Sequence, residues 1–214
     1  MNRLAVQLAP GATRLIRSDH SKVLALFHRY RLDAPPRRKQ ALAETICLML
    51  EVHARIEEEI FYPAMRRVDP DLVDKSLPEH NEMRRLIMRL RETPPHDLTH
   101  DAALMALMRD VMRHVADEET MLLPEAERAL PDQLDEIGAR MMKRRMELAL
   151  PRSGELARNG LRALPGSVFA VTGALVVGAF VAGLALTRPR AAAALPSPRK
   201  LAKLPGRLRA RLPV

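Results

Sequence analysis

The chain is poor in the residues that several common chemistries need. It has one cysteine, Cys47, so no intrachain disulfide can form and a four-thiolate zinc site is excluded. Cys47 lies within a helical run, ALAETICLMLEVH, and reads as a small buried apolar residue. There is no tryptophan and aromatics are 3% of the 214 residues, so the core must be filled by Leu, Ala, Val and the 12 Met. That supply suits helix-on-helix packing, and no stretch alternates with the period of two that a half-buried strand requires. Phosphate-cradling glycine loops and nucleophile motifs are also missing. The N-terminus has no sustained apolar run before Pro10 and Gly11, so no secretory signal is expected and the body is placed in the cytosol.

Charge is unevenly spread. The formal net charge is +9, but residues 1–150 hold 24 Lys+Arg against 25 Asp+Glu. Residues 151–214 hold 11 Lys+Arg against Glu155 alone. A near-neutral body argues against a nucleic-acid partner, because phosphate binding depends on a basic face.

Helical periodicity dominates up to residue 150. The apolar stripes predict helices over 13–32, 36–67, 71–92 and 98–130, with a shorter fifth from 131 to 150. The breaks fall at Asp33-Ala-Pro-Pro, Asp69-Pro70, Thr93-Pro-Pro and Pro131-Asp132, where proline removes a helical donor. The expected fold is all-α: an antiparallel up-down four-helix bundle with a fifth short helix and a C-terminal transmembrane helix. Residues 151–166 read as a basic linker. Residues 168–186 carry no charge and would span about 28 Å as a helix, which predicts a membrane crossing over 167–187. Residues 188–214 then read as a basic disordered tail attracted to membrane lipid. Small residues at spacing four (Ala174, Gly178, Ala182) offer a face for homo-oligomer formation, or merely fill an apolar span. A single-pass membrane protein with a cytoplasmic bundle is the resulting expectation, although so basic a tail beyond the membrane runs against the positive-inside tendency.

What is present in quantity is a repeated ligand pattern. His20 is followed 33 residues later by His53, with Glu57 four positions on; His80 is followed 34 residues later by His114, with Glu118 four positions on. The segments HARIEEEIFYP (53–63) and HVADEETMLLP (114–124) share the histidine, two consecutive glutamates and a closing proline. Residues four apart lie on one helix face, so each pair aims an imidazole and a carboxylate at one spot. Two such helices, with a histidine from each of two others, make a cage of four imidazoles and two carboxylates. That donor set suits iron or manganese, and either glutamate can bridge two ions. Pro63 and Pro124 either end their helices or shape a pocket around the motif. Asp19, Glu51 and Glu79 are candidates to orient the imidazoles, while Glu58, Glu59 and Glu119 read as solvated. His28, His96 and His100 fall outside the repeat and read as surface residues, although His28, two turns after His20, could instead support a ligand.

On these residues, the region from 13 to about 150 resembles a hemerythrin-like HHE cation-binding domain. The resemblance implies a four-helix bundle around two non-haem iron ions (or manganese), oxo- or hydroxo-bridged, that meets oxygen, nitric oxide or peroxide. Matching the motif assigns His20 and His53 to one ion and His80 and His114 to the other, with Glu57 and Glu118 bridging. The chain departs from the oxygen carriers in two ways. The positions four away from His80 are Ser76 and Arg84, not histidine, and the second bridging carboxylate is a glutamate at +4 rather than an aspartate at +5. A more open site of this kind favours binding or sensing of a small molecule, or iron handling; a di-iron oxidase or peroxidase is the alternative.

Overall fold

In a computed structural model, the described residues are 10–154 and 157–159. Among them every regular element is helical, without strands. Helix α1 is Ala12–His28 and α2 is Pro36–Ile56. A π-helical turn, Glu57–Phe61, continues α2 into the short α3, Tyr62–Met65. Then come α4, Pro70–Glu92, and α5, Leu98–Asp117. A second π-turn, Glu118–Leu122, leads into α6, Leu123–Ala129, and α7 is Leu134–Ala149. The helices expected before residue 150 all have counterparts. The first stops short, so Leu32 is exposed in the loop.

Local chemistry sets these boundaries. Pro36 and Pro70 sit in the first turns of α2 and α4, where a missing N–H costs nothing. Asp69 and Asp97 cap α4 and α5, their carboxylates accepting from Leu72 N at 3.1 Å and Thr99 N at 2.9 Å. Pro78 lies inside α4 and leaves one carbonyl of the preceding turn without its helical donor, two residues before His80.

Pro63 and Pro124 do not end their helices. Each follows a π-turn whose first residue is the glutamate of the ligand motif, and the Tyr62 and Leu123 N–H groups donate five residues back, to the carbonyls of Glu57 and Glu118. The proline ring would collide with the carbonyl four residues back in a regular helix, and one inserted residue relieves that clash.

The apolar interior is divided in two. One cluster gathers Val23, Phe27, Leu50, Met83, Leu107 and Val111. The other gathers Ile16, Ile56, Phe61, Val73, Leu122 and Met141. In sequence, His20 falls between Ile16 and Val23, His53 between Leu50 and Ile56, and His80 between Val73 and Met83. A polar layer is thus held between two dry ones. Helix α7 packs on α1, α2 and the first π-turn. It comes so close to the start of α1 that a Cβ on Gly138 would lie 2.2 Å from the Pro10 carbonyl oxygen, so only glycine fits there.

The membrane expectation is corrected here. Among the described residues no helix is long and apolar enough to cross a membrane, so single-pass localisation is withdrawn. The apolar run at 168–186, with the association face, the linker beyond 159 and the basic tail, lies outside the described residues.

Candidate metal centre

All six residues of the repeat meet in the polar layer, each 5% exposed or less. Their inward atoms face one another. The Nε2 atoms of His53 and His80 lie 3.3 and 3.4 Å from Glu57 Oε2. Those of His20 and His114 lie 3.3 and 3.6 Å from Glu118 Oε2. His80 and His114 bring their Nε2 atoms within 3.2 Å. Two donor groups result, one of His20, His53, Glu57 and Glu118, the other of Glu57, His80 and His114, with Glu57 common to both.

The outer nitrogens explain why the inner ones point as they do. His20 Nδ1 donates to Glu119 Oε1, His80 Nδ1 to Glu58 Oε1 and His114 Nδ1 to Glu79 Oε2, each at 2.9 Å. A proton committed to Nδ1 leaves a lone pair on Nε2, aimed at the centre. His53 is the exception. Its Nδ1 is 3.6 Å from Asp19 Oδ2, beyond hydrogen-bond length, because Asp19 is held by Arg145 from α7. Asp19 and Glu79 stand directly before the two lone histidines, so the outer shell follows the repeat too.

Three sequence expectations are corrected by these contacts. Glu58 and Glu119 are not simply solvated: each follows the motif glutamate in the π-turn and reaches an imidazole on another helix. Glu51 does not orient an imidazole; it pairs with Arg91 and Arg152. His100 is buried rather than a surface residue, and it joins a polar cluster at the far end of the molecule. There Tyr30 Oη donates to Asp101 at 2.6 Å, Lys39 Nζ donates to Asp101 at 2.7 Å, and His100 Nδ1 is 3.2 Å from Tyr30 Oη.

Sequence reading also missed Tyr62. Its hydroxyl donates to Glu118 Oε1 at 2.8 Å and lies 3.2 Å from His80 Nε2, with the ring stacked on His80. The matching position after Glu118 is Leu123, so nothing in the repeat announced this tyrosine. It enters beside Ser76, the position one turn from His80, and adds a further oxygen to that side.

The electrostatics of the six residues call for a cation. His20 Nε2, His53 Nε2, both carboxylate oxygens of Glu57 and Glu118 Oε2 are buried without a hydrogen-bond partner. Burial and the Glu118 charge push the Glu57 carboxyl well above its ordinary range. Burial also raises Glu118, but the imidazoles of His114, His20 and His53 outweigh it and hold it low. Burial drives His53 down to about 4, against the pull of Asp19. Burial lowers His20 and His114 as well, but Glu118 and its fellow carboxylates outweigh it and leave both raised. Buried lone pairs facing buried carboxylates are costly unless a positive charge sits between them. The donor types and their inward aim are compatible with a metal ion site.

Comparison with known proteins gives the family. The model of the hemerythrin HHE cation-binding domain matches residues 11–126. The chain belongs to that family. A solved hemerythrin HHE cation-binding-domain protein from Mycobacterium kansasii shares the fold, with a TM-score of 0.58 over 72% of this chain and 99% of that one, at 21% identity. A DNA nickase from Nostoc sp. is 32% identical over 109 residues, half of this chain. This hemerythrin-family chain covers 31% of the length of that curated relative.

Proposed function

We propose that the chain is a non-haem di-metal protein, with iron as its metal and manganese as the alternative, which binds or senses oxygen, nitric oxide or peroxide. The observation that carries the reading is the set of buried, partnerless nitrogen and carboxylate atoms converging from α1, α2, α4 and α5. We read these rods as the walls of an antiparallel four-helix bundle. His20 and His53 would hold one ion, His80 and His114 the other, and Glu57 and Glu118 would lie between the two. Two ions so held would supply electron exchange and Lewis acidity to a small ligand.

The chain's own residues do the rest. Glu119, Glu58 and Glu79 keep three imidazoles in the tautomer that presents Nε2 inward. Tyr62 donates to Glu118 and so fixes the orientation of one bridging carboxylate. The apolar layers on either side exclude bulk water and leave little room: the cavity beside His20, His53 and His114, walled by Val23, Leu50 and Val111, is only ≈ 10 Å³. That size supports a diatomic or similarly small partner over an organic substrate.

Anaerobic purification followed by metal analysis tests this reading. Two irons per chain, with new near-ultraviolet absorption on exposure to air or nitric oxide, is the expected result. A content well below two, or loaded protein indifferent to both gases, would overturn it. Turnover of peroxide with an added reductant would move the assignment to the oxidase or peroxidase class.

A further inference from the structure

On the outer face of α4 and α5 lies a groove of ≈ 300 Å³ lined by four arginines, Arg85, Arg89, Arg109 and Arg113. Each helix contributes two, four residues apart and therefore stacked on one face. Two of the four are held by carboxylates: Arg85 Nε donates to Glu82 at 2.7 Å and Arg113 Nη2 to Asp110 at 2.7 Å. Among the described residues no carboxylate pairs with Arg89 or Arg109. The groove therefore has two fixed guanidinium groups and two free ones, over a floor of Leu86 and Ala106. Guanidinium forks match the oxygens of a tetrahedral oxyanion, and two free positive charges match a phosphate dianion.

One of the fixed arginines has a second partner. Arg113 Nε is 3.4 Å from Glu79 Oε1, and Glu79 accepts from His114 Nδ1 at 2.9 Å. A surface group is thus two contacts from an imidazole of the candidate centre.

We propose that this groove binds a small phosphate-type oxyanion, free phosphate or a phosphomonoester, and that its occupancy is relayed to His114 through Arg113 and Glu79. An anion that draws Arg113 toward itself loosens its hold on Glu79, which then accepts more strongly from His114 and makes that imidazole a stronger donor. The relay rests on the metal reading above; the binding does not.

Calorimetric titration of the full metal-loaded chain with inorganic phosphate at constant ionic strength tests both parts. Chloride is the matched control and a short single-stranded oligonucleotide is a second arm. Saturable heat with phosphate and none with chloride is expected. The double variant Arg89→Gln/Arg109→Gln should bind about tenfold more weakly or worse, with its metal content unchanged. Phosphate should shift the absorption of the metal centre, and Arg113→Gln should abolish the shift even at phosphate concentrations that calorimetry shows to saturate the variant. Phosphate heat no greater than chloride heat, or binding unchanged in the double variant, would overturn the site. An oligonucleotide that displaces phosphate and binds more tightly would overturn the free-anion assignment. An unaltered shift in Arg113→Gln would overturn the relay. If the metal reading itself fails, the chain will lack metal while the phosphate heat persists in the metal-free protein.

Discussion

In the first half of the centre, His53 has α7 packed close by, and its outer nitrogen stands 3.6 Å from an Asp19 that Arg145 has claimed. In the second half, His114 donates to Glu79 at 2.9 Å, and Glu79 meets the solvent-facing Arg113. The inner residues of the halves match one for one. The outer ones differ because α7 exists on one side only, and because Tyr62 reaches across to His80 where its counterpart is Leu123. A duplicated ligand set can therefore surround two inequivalent positions, one braced from within the fold and one open to the surface.

The sharpest way to break this comparison is at the two motif glutamates. Glu57→Ala and Glu118→Ala should each drop the chain from two bound ions to one or none, as read by metal analysis of anaerobically prepared protein. If either variant keeps both ions, the glutamates do not lie between them. The outer carboxylates come next. Glu79→Ala should weaken metal binding about 10–100-fold, whereas Asp19→Ala should do less, because Asp19 makes no hydrogen bond to its imidazole. Competition with a chelator gives both affinities, and the reverse order would contradict the inequivalence argued here. Gly138→Ala should cost about 1–3 kcal/mol in chemical denaturation, because its new Cβ would press on the backbone at Pro10. A loss confined to the His20 and His53 side would show that α7 braces that half.

The smallest expected effect concerns the two tyrosines. Tyr30 is raised by burial and by Asp101, and Tyr62 is raised by burial and by Glu57 and Glu118. A phenol whose folded value is raised stabilises the fold fully below its unfolded value. That contribution is lost as pH climbs from about 10 toward the folded value. The phenolate absorbance of the native metal-free chain should accordingly show no step near pH 10. A step there in folded protein would place at least one hydroxyl in water.

Much of this was legible in the residues. A histidine and a glutamate four apart must share a helix face, and a second copy of the pattern left few other uses for six such side chains. Proline breaks marked the helix ends closely. The π-turns were not legible, because a proline late in an apolar stripe is equally consistent with termination. Without them, Glu58 and Glu119 rotate off the histidine's face and look solvated. The pairing of Tyr30, Lys39, His100 and Asp101 was invisible for another reason: those residues come from two helices and the loop after α1, whose relative placement no local pattern encodes. Nor did any periodicity say which side α7 would cover, and the apolar run at 168–186 supported a membrane reading that the described helices do not share.

Anomalous diffraction from crystals of the iron-loaded chain would locate the ions themselves. Two peaks are expected, one bonded to His20 and His53 and the other to His80 and His114, with Glu57 and Glu118 reaching both. A single peak, or peaks bonded to other side chains, would contradict that arrangement.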